Sequence, residues 1–352
     1  MRRLAAWLLA VAVLGALVFF AFEKIDFRQV RAALAHVRVG WVVVSGLFMG
    51  GTFLARGESW YVAIREALPS PRVGRFTVTR VMLIGMFGSS VAPGRLGEAA
   101  RAWLIARHAG GARGTLATVL GTLLTQILLN VLALLILAAV ALAGGAIPGA
   151  HAVAIIPVVA LPVVALIALP FMPRILRAVA HDRNHWGRML NWAARQVGDL
   201  DRGVAVFRRP GSAIHSGGFQ LGGWVLQTGA CYAVILAFGL QNRANIATAA
   251  AILFAVNVTA VLPLTPANVG IFQATCIAVL APVGVRSGTG LAYGLVLQAV
   301  EVFAATALGV PSLLREGLSP RDLGRGGRGR PLEPDKTSED SVPDRDTTTQ
   351  AV

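Results

Sequence analysis

Apolar runs close to the roughly 20 residues that cross a bilayer recur at Leu4 to Phe22, Val39 to about Trp60, Thr115 to Ala143, His151 to Phe171, Gly217 to Leu240 and Gly290 to Leu314. The pattern predicts an all-α polytopic membrane protein with about six full spans. Two further apolar regions are broken. The first runs from Phe76 to Ala92 into Pro93-Gly94-Arg95-Leu96-Gly97-Glu98-Ala99-Ala100-Arg101, and the second from Ile246 through Pro263 and Pro266 to Pro282. Pro and Gly interrupt a helix inside a bilayer only where protein or water satisfies the freed backbone groups. Each break therefore predicts a re-entrant hairpin or a pair of short helices, both lining one cavity.

The second break is a degraded copy of the first. Pro266-Ala267-Asn268-Val269-Gly270 matches Pro93 to Gly97 as Pro, two variable residues, Leu or Val, then Gly, and at the same offset of 173 Gly111 answers Gly284 and Arg113 answers Arg286. Two related halves follow, with chance recurrence in a chain holding 39 Gly and 17 Pro as the competing explanation. The loops orient them. Gly144 to Ala150 has no Lys or Arg, whereas Met172 to Ser216 carries eight Arg against Asp182, Asp199 and Asp201, so the former is read as outside and the latter as cytoplasmic, with both termini inside. The loop Glu23 to Arg38 opposes this, since it is placed outside with Lys24, Arg28, Arg31 and Arg38. Under this topology the Pro93 region enters from the cytoplasm and the Pro266 region from outside. Opposed broken segments in related halves point to an inverted repeat with a binding site near the midplane.

Composition agrees with the span pattern. Hydrophobic residues make up 55% and charged residues 14% of the 352 positions, against about 25% charged in an ordinary soluble domain. The net charge of +15 is almost wholly Arg, since Lys24 and Lys336 are the only lysines, and it sits in loops. That distribution reads as topology and attraction to anionic headgroups, and excludes nucleic acid as a partner class. Met1-Arg2-Arg3 and the run to Phe22 read as an uncleaved span, because the run is too long for a signal peptide and no small-x-small site precedes Glu23. The domain reading is a transmembrane unit over 1–316, a basic interfacial loop over 172–216 within it, and a polar, disordered cytoplasmic tail over 317–352. Cys231 and Cys276 both lie in apolar segments, and the six His show no metal-ligand spacing. No cofactor or metal is expected, and the absence of a Gly-x4-Gly-Lys-[Ser/Thr] loop argues against ATP hydrolysis.

The candidate chemistry gathers at the breaks and at the midplane. Glu301 lies near the centre of the last span with Gln298 one turn before it, and a carboxylate at that depth marks a cavity, a partner or a proton site, or else glues helices together. Gln126 and Asn130 lie at similar depth in the Thr115 span and Asn257 in the second broken region, where amides usually serve interhelical hydrogen bonds. Gly94 and Gly97 would let backbone N–H groups approach a ligand at the start of a helix, with Arg95 beside them for an anionic headgroup. Glu98 and Arg101 are three apart, so they either join that site or pair across a turn. Arg56 and Glu58 either complete the site or anchor the interface with Trp60 and Tyr61, and Asn268, Gly270 and Gln273 form the matching group after the second break.

At Pro93-Gly94-Arg95-Leu96-Gly97-Glu98 with Arg101, and at Leu262-Pro263-Leu264-Thr265-Pro266 with Gly270, the chain resembles the lysylphosphatidylglycerol synthase transmembrane-region family of flippase-like proteins. The likeness covers roughly Leu4 to Glu316. The second motif departs from the family pattern, with Asn268 in place of a glycine and Gln273 in place of a glutamate, which puts proton coupling through that position in doubt unless Glu301 substitutes. The resemblance implies a lipid flippase of the bacterial inner membrane working by alternating access. It does not imply lysine transfer, because the soluble aminoacyl-transfer domain is absent from this sequence. The alternatives are a non-catalytic partner subunit of a membrane enzyme, an integral-membrane lipid-modifying transferase, or a small-solute transporter.

Overall fold

Thr115–Ala143 forms one uninterrupted helix for a simple reason: it holds no charge and no proline, so in lipid every backbone group must be satisfied within the segment. The computed structural model describes residues 27–68, 73–91, 96–110, 115–146, 205–260 and 268–316. Within them the helices are α1 (Phe27–Ala35), α2 (Val39–Ala67), α3 (Arg75–Val91), α4 (Leu96–His108), α5 (Thr115–Ala143), α6 (Pro210–Ala237), α7 (Ile246–Thr259), α8 (Ile271–Leu280) and α9 (Ser287–Arg315), with a short 3-10 turn at Ala205–Arg208. No strand occurs among the described residues. The long helices α2, α5, α6 and α9 are long and apolar enough to cross a membrane. Their outward faces carry exposed Val43, Leu47 and Leu54 on α2, and Leu120, Ile127, Leu132 and Ile136 on α5, as a lipid-facing surface requires. The expected spans at Leu4 to Phe22 and His151 to Phe171, most of the basic segment and the tail lie outside the described residues.

The order long, short, short, long occurs twice, and the starts of α6 to α9 follow those of α2 to α5 by 171, 171, 175 and 172 residues. The two halves are inverted. Ser45 Oγ donates to Ala230 O at 2.9 Å, Thr52 Oγ1 to Gly223 O at 3.1 Å, and Ser59 Oγ meets Ser216 Oγ at 3.1 Å, so α2 and α6 run antiparallel. Under a shift of 171 residues the Ser45–Ala230 contact becomes the Ser59–Ser216 contact, while Thr52 touches its own counterpart Gly223. A residue meeting its counterpart marks a pseudo-two-fold axis, here across the helices. The same shift carries the bond from Trp60 Nε1 to Thr122 Oγ1, 2.9 Å, onto that from Tyr293 OH to Cys231 O, 2.8 Å.

Each pair of short helices is a hairpin. Helix α4 folds back on α3 so closely that a Cβ on Gly97 would stand 2.0 Å from Gly85 O. Both ends of this hairpin lie at one face, where Arg75 meets Glu58 and His108 meets Glu316. The α7–α8 hairpin opens at the other face, beside the end of α5, where a Cβ on Gly144 would meet Ala247 Cβ at 2.2 Å. At 17 and 14 residues, α3 and α7 extend roughly 25 and 21 Å at 1.5 Å per residue, short of a bilayer core of about 30 Å. The halves are also exchanged: α3 packs on α9 of the other half, with Gly309 against Phe87, and α7 packs on α5.

Among the described residues, two boundaries shift by seven residues, and the others by three or fewer. Helix α6 starts at Pro210 rather than Gly217, because Pro210 preorganises its first turn and Glu66 accepts from Ser212 at 2.8 Å and pairs with Arg209 at 3.0 Å. Residues 210–216, assigned from sequence to the interfacial loop, are therefore helical, and Ser216 is buried. Helix α2 runs past Trp60 to Ala67, since Glu66 on that extension finds a cationic partner in Arg209.

Candidate functional site

The hairpin tips converge on a cavity of about 320 Å³ lined by residues of every helix from α2 to α9. Its apolar wall includes Met49, Met86 and Phe272, and its polar groups include Arg56, Glu98, Asn130, Gln227, Gln298 and Glu301. Charge reaches this depth because these helices each give one face to the cavity and another to lipid or core. On α2, Arg56 points inward, donates from Nη2 to Gln227 Oε1 at 2.7 Å, and lies over the Trp224 ring at 5.1 Å from its centroid. Gln126 Nε2 reaches the Arg56 carbonyl at 3.5 Å. Glu301 on α9 and Arg56 interact electrostatically across the cavity.

Glu98 enters the cavity from the first turn of α4. Arg101 does not reach it. At 5% exposure Arg101 is sealed between Glu98, to which it donates, and the Trp60 ring at 4.9 Å, so it positions the Glu98 carboxylate. On the opposite hairpin, Gln273 Oε1 accepts from Gly270 N at 2.7 Å, closing the α8 start, and its Nε2 donates to Gln298 Oε1 at 2.5 Å. Gly270 has φ +88 and Asn268 φ +55, so the chain turns through left-handed geometry into α8, with Asn268 on the cavity wall. Asn257 also lines the cavity, donating to Leu253 O of its own helix at 2.8 Å.

The structure thus brings together Arg56, Glu98, Asn257, Asn268, Gln298 and Glu301. Gln126, Gly270, Gln273 and Arg101 stand behind them as supports. Gly97 serves helix contact, since Gly85 and Ser89 fill the space beside it. Glu58 stands apart, bonded to Arg75 Nε at 2.5 Å and near His215 at 3.6 Å. Gly94 and Arg95 lie outside the described residues. Gln227 and Trp224 were missed in sequence reading; the structure brings Gln227, 171 residues after Arg56, against it where α2 crosses α6.

At the face that holds the ends of the first hairpin, three carboxylates tie the halves together. Glu58 and Glu66 on α2 reach His215 and Arg209 of the second half, while Glu316 after α9 meets Arg80 at 3.0 Å and His108 at 3.3 Å of the first. The His108 hydrogen bond to Glu316 raises the imidazole pKa and holds the carboxylate below its usual range. Among the described residues no three His, Cys, Asp or Glu side chains gather to hold a metal ion.

The family model described as the lysylphosphatidylglycerol synthase TM region matches residues 7–309. No curated protein matches the chain significantly.

Proposed function

Because this chain belongs to the lysylphosphatidylglycerol synthase transmembrane-region family of lipid-related, multi-pass membrane proteins, we propose that it moves a polar or anionic lipid between leaflets by alternating access. The observation that carries this reading is the cavity where two hairpins from opposite faces meet, with Arg56, Glu98 and Glu301 in its wall. A volume of about 320 Å³ is at the small end of ligand pockets. It suits a headgroup, leaving the acyl chains in surrounding lipid.

In this mechanism each hairpin slides against the last span of the opposite half, α3 on α9 and α7 on α5, exposing the cavity to one face and then the other. Arg56 holds the headgroup and Glu301 supplies the counter-charge when the cavity is empty. The face bearing Glu58, Glu66 and Glu316 is taken as cytoplasmic, in a bacterial inner membrane.

The test is transbilayer movement of acyl-chain-labelled anionic and neutral lipids in liposomes containing the purified protein. Lipid-selective movement is expected, slowed at least about tenfold in Arg56→Gln and Glu301→Gln, a loss of about 1.4 kcal/mol or more of transition-state stabilisation. No movement of any lipid by folded wild-type protein would contradict it and favour a partner-subunit role.

A further inference from the structure

Two amides in the cavity wall have their orientation fixed by groups that can only donate. Asn130 faces the indole Nε1 of Trp224 at 3.0 Å and Gln220 Nε2 at 2.7 Å. An indole N–H has no acceptor capacity, so the Asn130 atom facing it must be Oδ1. Gln227 faces the Arg56 guanidinium at 2.7 Å, and a guanidinium also only donates, so that atom must be Oε1. Both carbonyl oxygens are thereby consumed by protein. Both residues line the cavity, and neither NH2 group bonds to another described residue. Arg56 Nε is buried and unpartnered beside them.

We propose that Arg56, Asn130 and Gln227 form an oxyanion subsite that takes the phosphate of the transported lipid's headgroup; this rests on the transport reading of the same cavity. Three donors with their acceptors turned away match an acceptor-only ligand, and an Arg fork suits the planar edge of a phosphate. The subsite is preorganised. Trp224 stacks under Arg56 and is itself held by Asn130, so one residue both offers a donor and fixes the cation. Glu301 is the competing anion for Arg56 in the empty cavity, and the phosphate replaces it.

The informative variant is Asn130→Asp. It keeps an oxygen for Trp224 and Gln220 and changes only the cavity-facing donor into an anionic acceptor. Binding is measured by calorimetry on the full chain in phosphate-free detergent, with three probes: dihexanoyl phosphatidylglycerol, dihexanoylglycerol and inorganic phosphate. The subsite predicts binding of the phospholipid and none of the diacylglycerol. Affinity falls at least tenfold in Asn130→Asp and Arg56→Lys with melting temperature unchanged, and rises several-fold in Glu301→Gln. Equal binding of the diacylglycerol, or unchanged affinity in both Asn130→Asp and Arg56→Lys, would overturn it. Inorganic phosphate binding as tightly as the phospholipid upholds the subsite and overturns a lipid source. Failure of the transport reading is seen separately, as loss of binding in the variants with no lipid movement by wild type.

Discussion

The two halves share a frame and differ in how their hairpins are held. In the first, the α3–α4 hairpin is sealed by glycines, with Gly85, Gly88 and Gly97 in contact, and by the buried Arg101, which pairs with the cavity-facing Glu98. In the second, neutral groups do the same work: Asn245 and Thr248 cap α7, and Gln273 closes α8 and meets Gln298. The last spans differ likewise. Helix α5 is unbroken, whereas α9 contains Gly309 and Pro311 just before the turn that carries Glu316. Pro311 removes one backbone hydrogen bond, which makes that segment the natural joint of α9. An inverted repeat can exchange the shapes of its halves only if the two shapes have similar free energies. Among the described residues, the salt bridges that join the halves lie on one face, so under the proposed mechanism the balance between the two states is tunable from that face.

The largest expected effect separates the hairpins at their glycines. Gly97→Ala places a methyl group on backbone that cannot yield, at 2.0 Å from Gly85 O, and should cost about 3 kcal/mol or prevent folding. Gly270→Ala imposes the strain of a positive φ, costing about 1 to 2 kcal/mol. Thermal unfolding in detergent checks the order, and equal losses would remove the claimed difference. Next comes the second hairpin's cap. Asn245→Ala deletes the acceptor for Thr248 N, 3.1 Å, and should cost about 1 kcal/mol.

The smallest effect concerns the tie at the charged face. The His108 pKa is raised above its ordinary 6.5 by the Glu316 hydrogen bond, so its stabilising contribution is present below 6.5 and is lost as pH rises through the raised value. Glu316 is lowered from 4.5, so its contribution is present above 4.5 and lost as pH falls. The tie is therefore strongest between these limits. With the His108 side chain 26% exposed and Glu316 8% exposed, the pair stays partly screened and contributes about 0.5 kcal/mol. Wild type should lose about 1 to 2 °C of melting temperature on passing from pH 6 to 8.5, relative to His108→Gln. Parallel curves for the two proteins would show that the tie carries no stability.

Much of this frame was legible in the chain. The offset of 173 between the Pro/Gly breaks lies within the 171 to 175 spacing of the helix starts. Glu301, Gln298, Arg56 and Glu98 were legible because polar groups at bilayer depth need a reason to be there. Glu58 misled because it is two residues from Arg56, and positions i and i+2 of a helix face different ways. Arg56 turns to the cavity and Glu58 to the charged face. Gln227 and Trp224 were not legible, since their role exists only where α2 crosses α6, 171 residues away in sequence.

The central claim, that each hairpin moves against the last span of the opposite half, is tested by tying them. In a background with Cys231→Ser and Cys276→Ser, Arg80→Cys and Glu316→Cys would be joined by a bis-methanethiosulfonate crosslinker, which forms reducible disulfides, and lipid movement measured in liposomes. The account predicts that movement stops on crosslinking and returns on reduction. Undiminished movement with the two elements joined would contradict it.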